Sequence, residues 1–361
     1  MKIICTVTND LAQDQRMERI CTSLQHAGHE VTLVGRVRTT SRDLVPRPYA
    51  QHRIWCQYES GKAFYTEYNY RLVRELSGWD YDVICAVDVD TLAAGAALTR
   101  NSRHKLVFDA HEWFHMTPEV VNRPLIRGFW KGLARTFMGR TDLRYTVAPL
   151  LAGKLAEDYG QPFATVRNLP WRSDLPPAPV PEKKVILYQG MLNPGRGLEV
   201  AIAALKELPD CELWLAGSGP EEGELRRCGE RLQEPGKVKF LGFVDPADLP
   251  GLTRQAWLGL NLLDAVSPSY LYSLANKALD YVQAGVPSVQ MDFPEYRGLQ
   301  DKYGCYALLD ELTVDSLVQI IRNLATDKAA YNQLRGNCLA AAPELCWERE
   351  ERVLLELYDD L

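Results

Sequence analysis

The chain repeatedly ends a short apolar run at glycine and then resumes as a helical pattern. From Val185 to Pro287 this happens in series: VILYQG runs into MLNPGRGLE, LWLAGSGP follows, then VKFLGFV, and NKALDYVQAG closes at a Gly-Val-Pro turn. Apolar runs punctuated by glycine before a helix are the sequence form of a strand feeding a helix in a βαβ unit. The first half repeats the form with KIICTV, a helical pattern from Asp14 to Ala27, a stop at Gly28, and then EVTLVG, YDVICAV, KLVFDA and RYTVA. Such alternation predicts a mostly parallel sheet covered by helices on both faces.

The alternation breaks once. Residues 172–184 read RSDLPPAPVPEKK, whose prolines predict a stiff, extended connector. We therefore expect an α/β protein of two doubly wound domains: 1–171, the connector 172–184, and 185–346. A helix at 347–361 is expected to pack back on the first domain. A length of 361 residues suits two domains on size alone. Nine scattered cysteines without a C-x-x-C pair predict reduced thiols in a cytoplasm rather than a disulfide framework. MKIICTVTND is too short for a signal-peptide core, and no apolar run reaches the roughly 20 residues of a membrane span. A net charge of −6 argues against general nucleic-acid binding.

Loops at the carboxyl ends of parallel strands are where open α/β sheets bind ligands, and helix N-termini there offer free N–H groups to anions. Arg196 in Pro-Gly-Arg-Gly and Lys277 at the start of a helix add fixed positive charge. Asp280, one turn after Lys277, adds a carboxylate suited to hydroxyl groups. Gly217 and Gly219 allow a tight turn through which backbone can approach phosphate. Phosphate donors beside a hydroxyl-binding acid describe a nucleotide-sugar site.

The order of Gly190, Arg196-Gly197, Gly217-Ser-Gly219-Pro, Phe240-Leu-Gly-Phe243-Val244 and Asn276-Lys277-x-x-Asp280-Tyr281-x-x-x-Gly285-x-Pro287 resembles the GT-B glycosyltransferases of family 4. Asp14-Gln-Arg16, Gly28-His-Glu-Val31, Asp109-Ala-His111-Glu112 and Val166-Arg-Asn168-Leu-Pro170 extend the resemblance over nearly the whole chain. It implies two Rossmann-like domains facing a cleft and a retaining transfer of sugar from a UDP- or GDP-linked donor to a saccharide or lipid-linked acceptor.

The resemblance also implies roles for particular residues. Arg196 and Lys277 neutralise the diphosphate, with backbone at Ser273, Leu274 and Asn276. Asp280 holds the ribose, Phe243 and Val244 hold the base, and His111 stands beside the transferred sugar. Gly190, Gly217, Gly219 and Asn168 complete the donor side, while Asn9, Asp10, Asp14, Arg16, Asp109 and Glu112 belong to the acceptor side. Fixed cations make a metal unnecessary on this plan. Members commonly carry two glutamates with seven residues between them; here the positions read Tyr272 and Asp280, and the missing first acid leaves the donor sugar open. Met191 stands where a second arginine often does.

Some patterns read otherwise. His111-Glu-Trp-Phe-His115 matches H-E-x-x-H, whose zinc chemistry needs both histidines on one helical face; directly after KLVFDA a strand end is expected instead. Asp88 and Asp90 are expected to cap the following helix. Segment 123–140 is basic every four residues, aromatic between and free of acids, which suits either an anionic membrane surface or an ordinary half-buried helix. A nucleotide-sugar epimerase of the same fold and a non-catalytic sugar-nucleotide binder are the rival functions.

Overall fold

The structure, a computed structural model, describes residues 1–100 and 103–361, with backbone alone at Gln13. It divides into two compact units, Met1–Asn168 with Glu350–Leu361, and Leu169–Arg349.

In the first unit, strands β1 (Lys2–Thr6), β2 (Glu30–Val37), β3 (Ala50–Trp55), β4 (Val83–Val87), β5 (Lys105–Ala110), β6 (Leu143–Thr146) and β7 (Ala164–Thr165) form a sheet in the order 3-2-1-4-5-6-7. The second unit orders β8 (Lys184–Gln189), β9 (Cys211–Ala216), β10 (Val238–Gly242), β11 (Leu258–Asn261), β12 (Ser288–Met291) and β13 (Tyr306–Leu309) as 10-9-8-11-12-13. The pairings are parallel in both sheets. Central strands such as β4, VICAV, are buried along their length because helices cover both faces. Strand order reverses between β1 and β4 and again between β8 and β11, and the loops leaving β1, β8 and β11 carry Asn9, Asp10, Gly190, Arg196, Ser273 and Leu274 among the residues singled out above.

Helix Asn276–Ala284 shows how a site-bearing element is fixed. Its Tyr281 is fully buried across β11, where only glycine leaves room: a Cβ at Gly259 would lie 2.5 Å from the ring. The Tyr281 hydroxyl donates to the Leu187 carbonyl at 2.9 Å, pinning the helix to β8. Gly285, in the left-handed region at φ 64°, ends the helix.

Residues 172–184 are held along the second unit rather than spanning freely. Ser173 N donates to Gln283, and carbonyls of Pro176 and Ala178 accept from Arg254 and Arg335. In the first unit Glu350 is buried and takes the Arg167 backbone N–H at 2.7 Å and its guanidinium at 2.9 and 2.7 Å. Leu354 and Tyr358 of the last helix, Trp347–Asp359, are buried too. All nine cysteines are free thiols.

Candidate active site

In the second unit three strand ends meet on glycine. Gly190 N donates to Ala216 O at 2.9 Å and Gly217 N to Gly242 O at 2.7 Å. A Cβ at Gly217 would stand 1.9 Å from the Gly190 carbonyl, and one at Gly219 would stand 2.4 Å from that of Leu192. These glycines serve the packing of loop 190–192 against the β9 turn.

The space over Gly190 is taken by Lys277, whose Cε would lie 3.3 Å from a Cβ there. The Lys277 side chain is buried, and its ammonium lies 4.9 Å from the centre of the Tyr188 ring. Burial, with Arg196 adding to it against the opposing pull of Asp280, brings that ammonium down to about 7. Arg196 leaves the loop between two left-handed glycines, Gly195 and Gly197, and its guanidinium lies 4.8 Å from the centre of the Tyr270 ring. Its Nε has no acceptor among the described residues. Neither cation forms an ion pair among the described residues. The first turn of helix Asn276–Ala284 carries no acid, so its free N–H groups add to the positive end.

Around this pair, Asp280 accepts from Gln189 Nε2 at 2.9 Å, and Gln189 Oε1 accepts from the Thr253 hydroxyl at 2.8 Å. Ser273 is turned inward: its N–H and hydroxyl both bond to the Tyr270 carbonyl, at 3.2 and 2.8 Å. Leu274 is buried and Asn276 exposed. Tyr272 N bonds to Pro268 O at 3.2 Å. Phe243 is largely exposed, and Val244 packs on the core under Tyr281. Tyr188, Gln189, Thr253 and Tyr270 were not singled out in the sequence, because a tyrosine or threonine in an apolar run reads as core.

The first unit holds a second charged cluster. Asp109, fully buried at the end of β5, is paired with the equally buried Arg16, at 2.8 Å to Nη2 and 3.2 Å to Nε. Arg16 Nη1 reaches the Val166 carbonyl at 2.9 Å. His111 Nε2 lies 3.2 Å from the same carboxylate, and the His111 backbone N–H donates to Asp88 at 2.9 Å. Burial opposes a charge on His111, but Asp109 and Asp88 outweigh it and lift the imidazole to about 9, an imidazolium at neutral pH. Asp88 occupies the left-handed region at φ 57°, a strained position for a non-glycine residue at a strand end. Burial and Asp88 raise Asp90 to about 7, although it accepts from Thr8 Oγ1 at 2.7 Å.

Other expected residues have the following surroundings. Arg16 and Asp109, expected on the acceptor side, are buried and paired with each other beside His111. Asp88 and Asp90 open helix Asp88–Leu98 but make no side-chain cap; their carboxylates are taken by His111 N–H and Thr8. Asp10 and Asp14 cap local helices at Ala12 N and Met17 N, Asp10 also pairs with Arg53 at 2.8 Å, and the exposed Asn9 donates to Asp14 at 3.3 Å. Asn168 accepts from Arg19, both in the first unit. Glu112 is exposed.

His115 is buried against Asp158 at 2.9 Å, held near pKa 4 chiefly by burial, while His111 faces Asp109. The H-E-x-x-H residues thus lie on a strand end and a 3₁₀ turn, facing different carboxylates. Among the described residues no set of three or more His, Cys, Asp and Glu is grouped for a metal ion.

Segment 123–140 is a helix, Pro124–Met138, that buries Trp130, Ala134 and Met138. Lys131 and Arg135 are neutralised by Asp158 at 2.7 and 3.2 Å, while Leu125 (89 % exposed), Ile126 and Phe129 (60 %) face solvent. Among the described residues no helix is long and apolar enough to cross a membrane.

Two strand-end clusters on two doubly wound sheets define a class, and comparison with known proteins names it. Residues 14–170 match the model of Glycosyltransferase Family 4, and residues 183–327 that of Glycosyl transferases group 1. The chain belongs to the GT-B glycosyltransferases, built of these two domains in that order. Among solved structures it is similar to a sucrose-phosphate synthase from Thermosynechococcus elongatus, at 16 % identity and TM-score 0.82 over 100 % of this chain and 99 % of that one. It is similar also to HepE from Anabaena in complex with UDP and glucose, at 18 %, 0.78 and full coverage of both chains. WaaG, a glycosyltransferase involved in lipopolysaccharide biosynthesis, matches at 13 % and 0.70 over 98 % of each chain. A search of curated proteins gives no match.

Proposed function

We propose that this glycosyltransferase moves a sugar from a UDP-linked donor to an acceptor hydroxyl, with retention at the anomeric carbon and without a divalent metal. The observation that carries the reading is the pair Arg196 and Lys277, two cations against tyrosine rings with no carboxylate ion-paired to either among the described residues. Holding a buried ammonium without a counter-ion is costly, and a diphosphate removes that cost by supplying the charge. Uridine as the base is supported by HepE, a protein of the same fold described with UDP and glucose.

In the step itself the bond from the anomeric carbon to the β-phosphate oxygen breaks and a bond to the acceptor oxygen forms on the same face. The acceptor proton passes to the departing diphosphate. Arg196, Lys277 and the N-terminal N–H groups of helix Asn276–Ala284 stabilise the negative charge that collects there. Asp280, oriented by Gln189, accepts from the ribose hydroxyls. His111, an imidazolium at neutral pH, donates to a sugar hydroxyl and takes no proton. The acceptor is a lipid-linked saccharide presented at an anionic membrane surface, which Leu125, Ile126 and Phe129 contact.

Calorimetric titration of UDP and of GDP, each with EDTA present, tests the donor site on wild type and Arg196→Ala. UDP is expected to bind saturably, and about tenfold or more weakly in the variant. Binding that needs a metal, or no binding by the folded wild type, would overturn the reading. Incubation with a UDP-sugar alone separates the epimerase alternative, since a transferase leaves the sugar's configuration unchanged until an acceptor is added.

A further inference from the structure

Arg36, near the end of β2, is a buried cation that forms no ion pair with a carboxylate among the described residues. It is 6 % exposed. Its guanidinium lies 4.0 Å from the centre of the Phe64 ring, in the first turn of helix Gly61–Leu76. Its Nη1 donates to the Glu59 carbonyl at 2.9 Å, immediately before that helix, and its Nε has no acceptor among the described residues.

The helix start it faces is itself unfinished. Ser60 makes no side-chain cap, the first turn holds no acid, and Lys62 places a further positive charge there. Two cations at the positive end of a sixteen-residue helix oppose its dipole, an arrangement that an anion reverses. Among the described residues no carboxylate forms an ion pair with Arg36. Glu67 turns its carboxylate to Gln57 N, Tyr58 N and Arg71, and Glu59 makes no ion pair with Arg36 among the described residues. Burial, with Arg38 adding to it, lowers the Arg36 guanidinium against weaker support from Glu59, Tyr65 and Cys56.

We propose that Arg36 and the N-terminus of helix Gly61–Leu76 form a binding site for an oxyanion group, a phosphate or a carboxylate, carried by the acceptor. A guanidinium fork and successive helix N–H groups together match the planar or tetrahedral oxygens of such a group. Asn69, on the same helix, ties it to the cluster around His111 by donating to the Asp90 carbonyl at 2.7 Å. Assigning the group to the acceptor rests on the glycosyltransferase reading; the site itself does not.

The test follows the backbone amides of Lys62 and Ala63 by NMR in the full chain, titrated with inorganic phosphate or with acetate at constant ionic strength in chloride. Saturable shifts of both amides are expected, with the tighter anion naming the group. Arg36→Gln is expected to abolish them, and Lys62→Glu, an exposed change that leaves the core intact, to weaken binding about tenfold. Lys277→Ala should leave them unchanged, so failure here and failure of the donor site are separate results. Absence of saturable shifts in wild type, or wild-type affinity in Lys62→Glu, would sink the proposal.

Discussion

Lys277 and His111 are displaced in opposite directions by their surroundings, and pH separates their effects. Lys277 keeps its proton to about 10.5 when exposed but only to about 7 in the folded chain. Because a bound diphosphate favours the charged form, UDP affinity is expected to be highest below about pH 7 and to fall as pH rises beyond it. Calorimetry at about pH 8 in buffers of different ionisation enthalpy should show proton uptake on binding; equal heats in all buffers would refute this.

The same shift acts on stability. Between about 7 and 10.5 the unfolded chain holds the Lys277 proton and the folded chain does not, so this group makes stability rise with pH. His111, raised from 6.5 to about 9, contributes stability below 6.5 that is lost as pH rises through 9. The two slopes oppose one another between about 7 and 9, so Lys277→Met is expected to lose stability with pH there more steeply than wild type. Asp109→Asn removes the carboxylate that lifts His111. Its imidazole should then titrate well below 9, observable by NMR, and a titration still near 9 would count against the Asp109 pairing.

At the scale of elements, glycine spacing and helix faces decide the outcome. Gly217, at φ 148°, admits no side chain because the Gly190 carbonyl fills the place of a Cβ. Gly217→Ala is expected to cost about 3 kcal/mol in urea unfolding and to displace loop 190–192, weakening UDP binding as well. An alanine variant as stable as wild type would show that the strand ends are not so closely packed. Helix Pro124–Met138 exposes Leu125, Ile126 and Phe129 at its N-terminal half while Asp158 takes two of its cations. Phe129→Glu should abolish co-sedimentation with anionic vesicles and leave thermal stability near that of wild type, because Phe129 is mostly exposed. Vesicle binding unchanged by this substitution would remove the membrane reading.

At the scale of the whole molecule, the last residues return to the first unit. Glu350 is buried with its carboxylate committed to Arg167, so Glu350→Ala leaves the guanidinium and a backbone N–H without their acceptor. A loss of about 3 kcal/mol is expected in thermal or urea unfolding. UDP affinity at temperatures below the transition should be unchanged, since Arg196, Lys277 and Asp280 all belong to the other unit.

The alternation of apolar runs, glycines and helical segments was enough to determine the class of fold, because a strand buried on both faces must be apolar throughout and its crossover must be helical. Loop residues in Pro-Gly-Arg-Gly and the Lys277–Asp280 spacing were legible for the same reason: local geometry places them at strand ends. Short edge strands such as Ala50–Trp55 and Ala164–Thr165 were not singled out, since their pairing, rather than an apolar run of their own, makes them strands. Only tertiary structure decided which charges are satisfied. Arg16 and Arg36 are both arginines near the start of the chain, yet one pairs with a buried carboxylate from 93 residues away and the other forms no ion pair among the described residues. Sequence specifies a side chain's charge; the partners that neutralise it come from distant segments, and only the packing of the sheet brings them within reach.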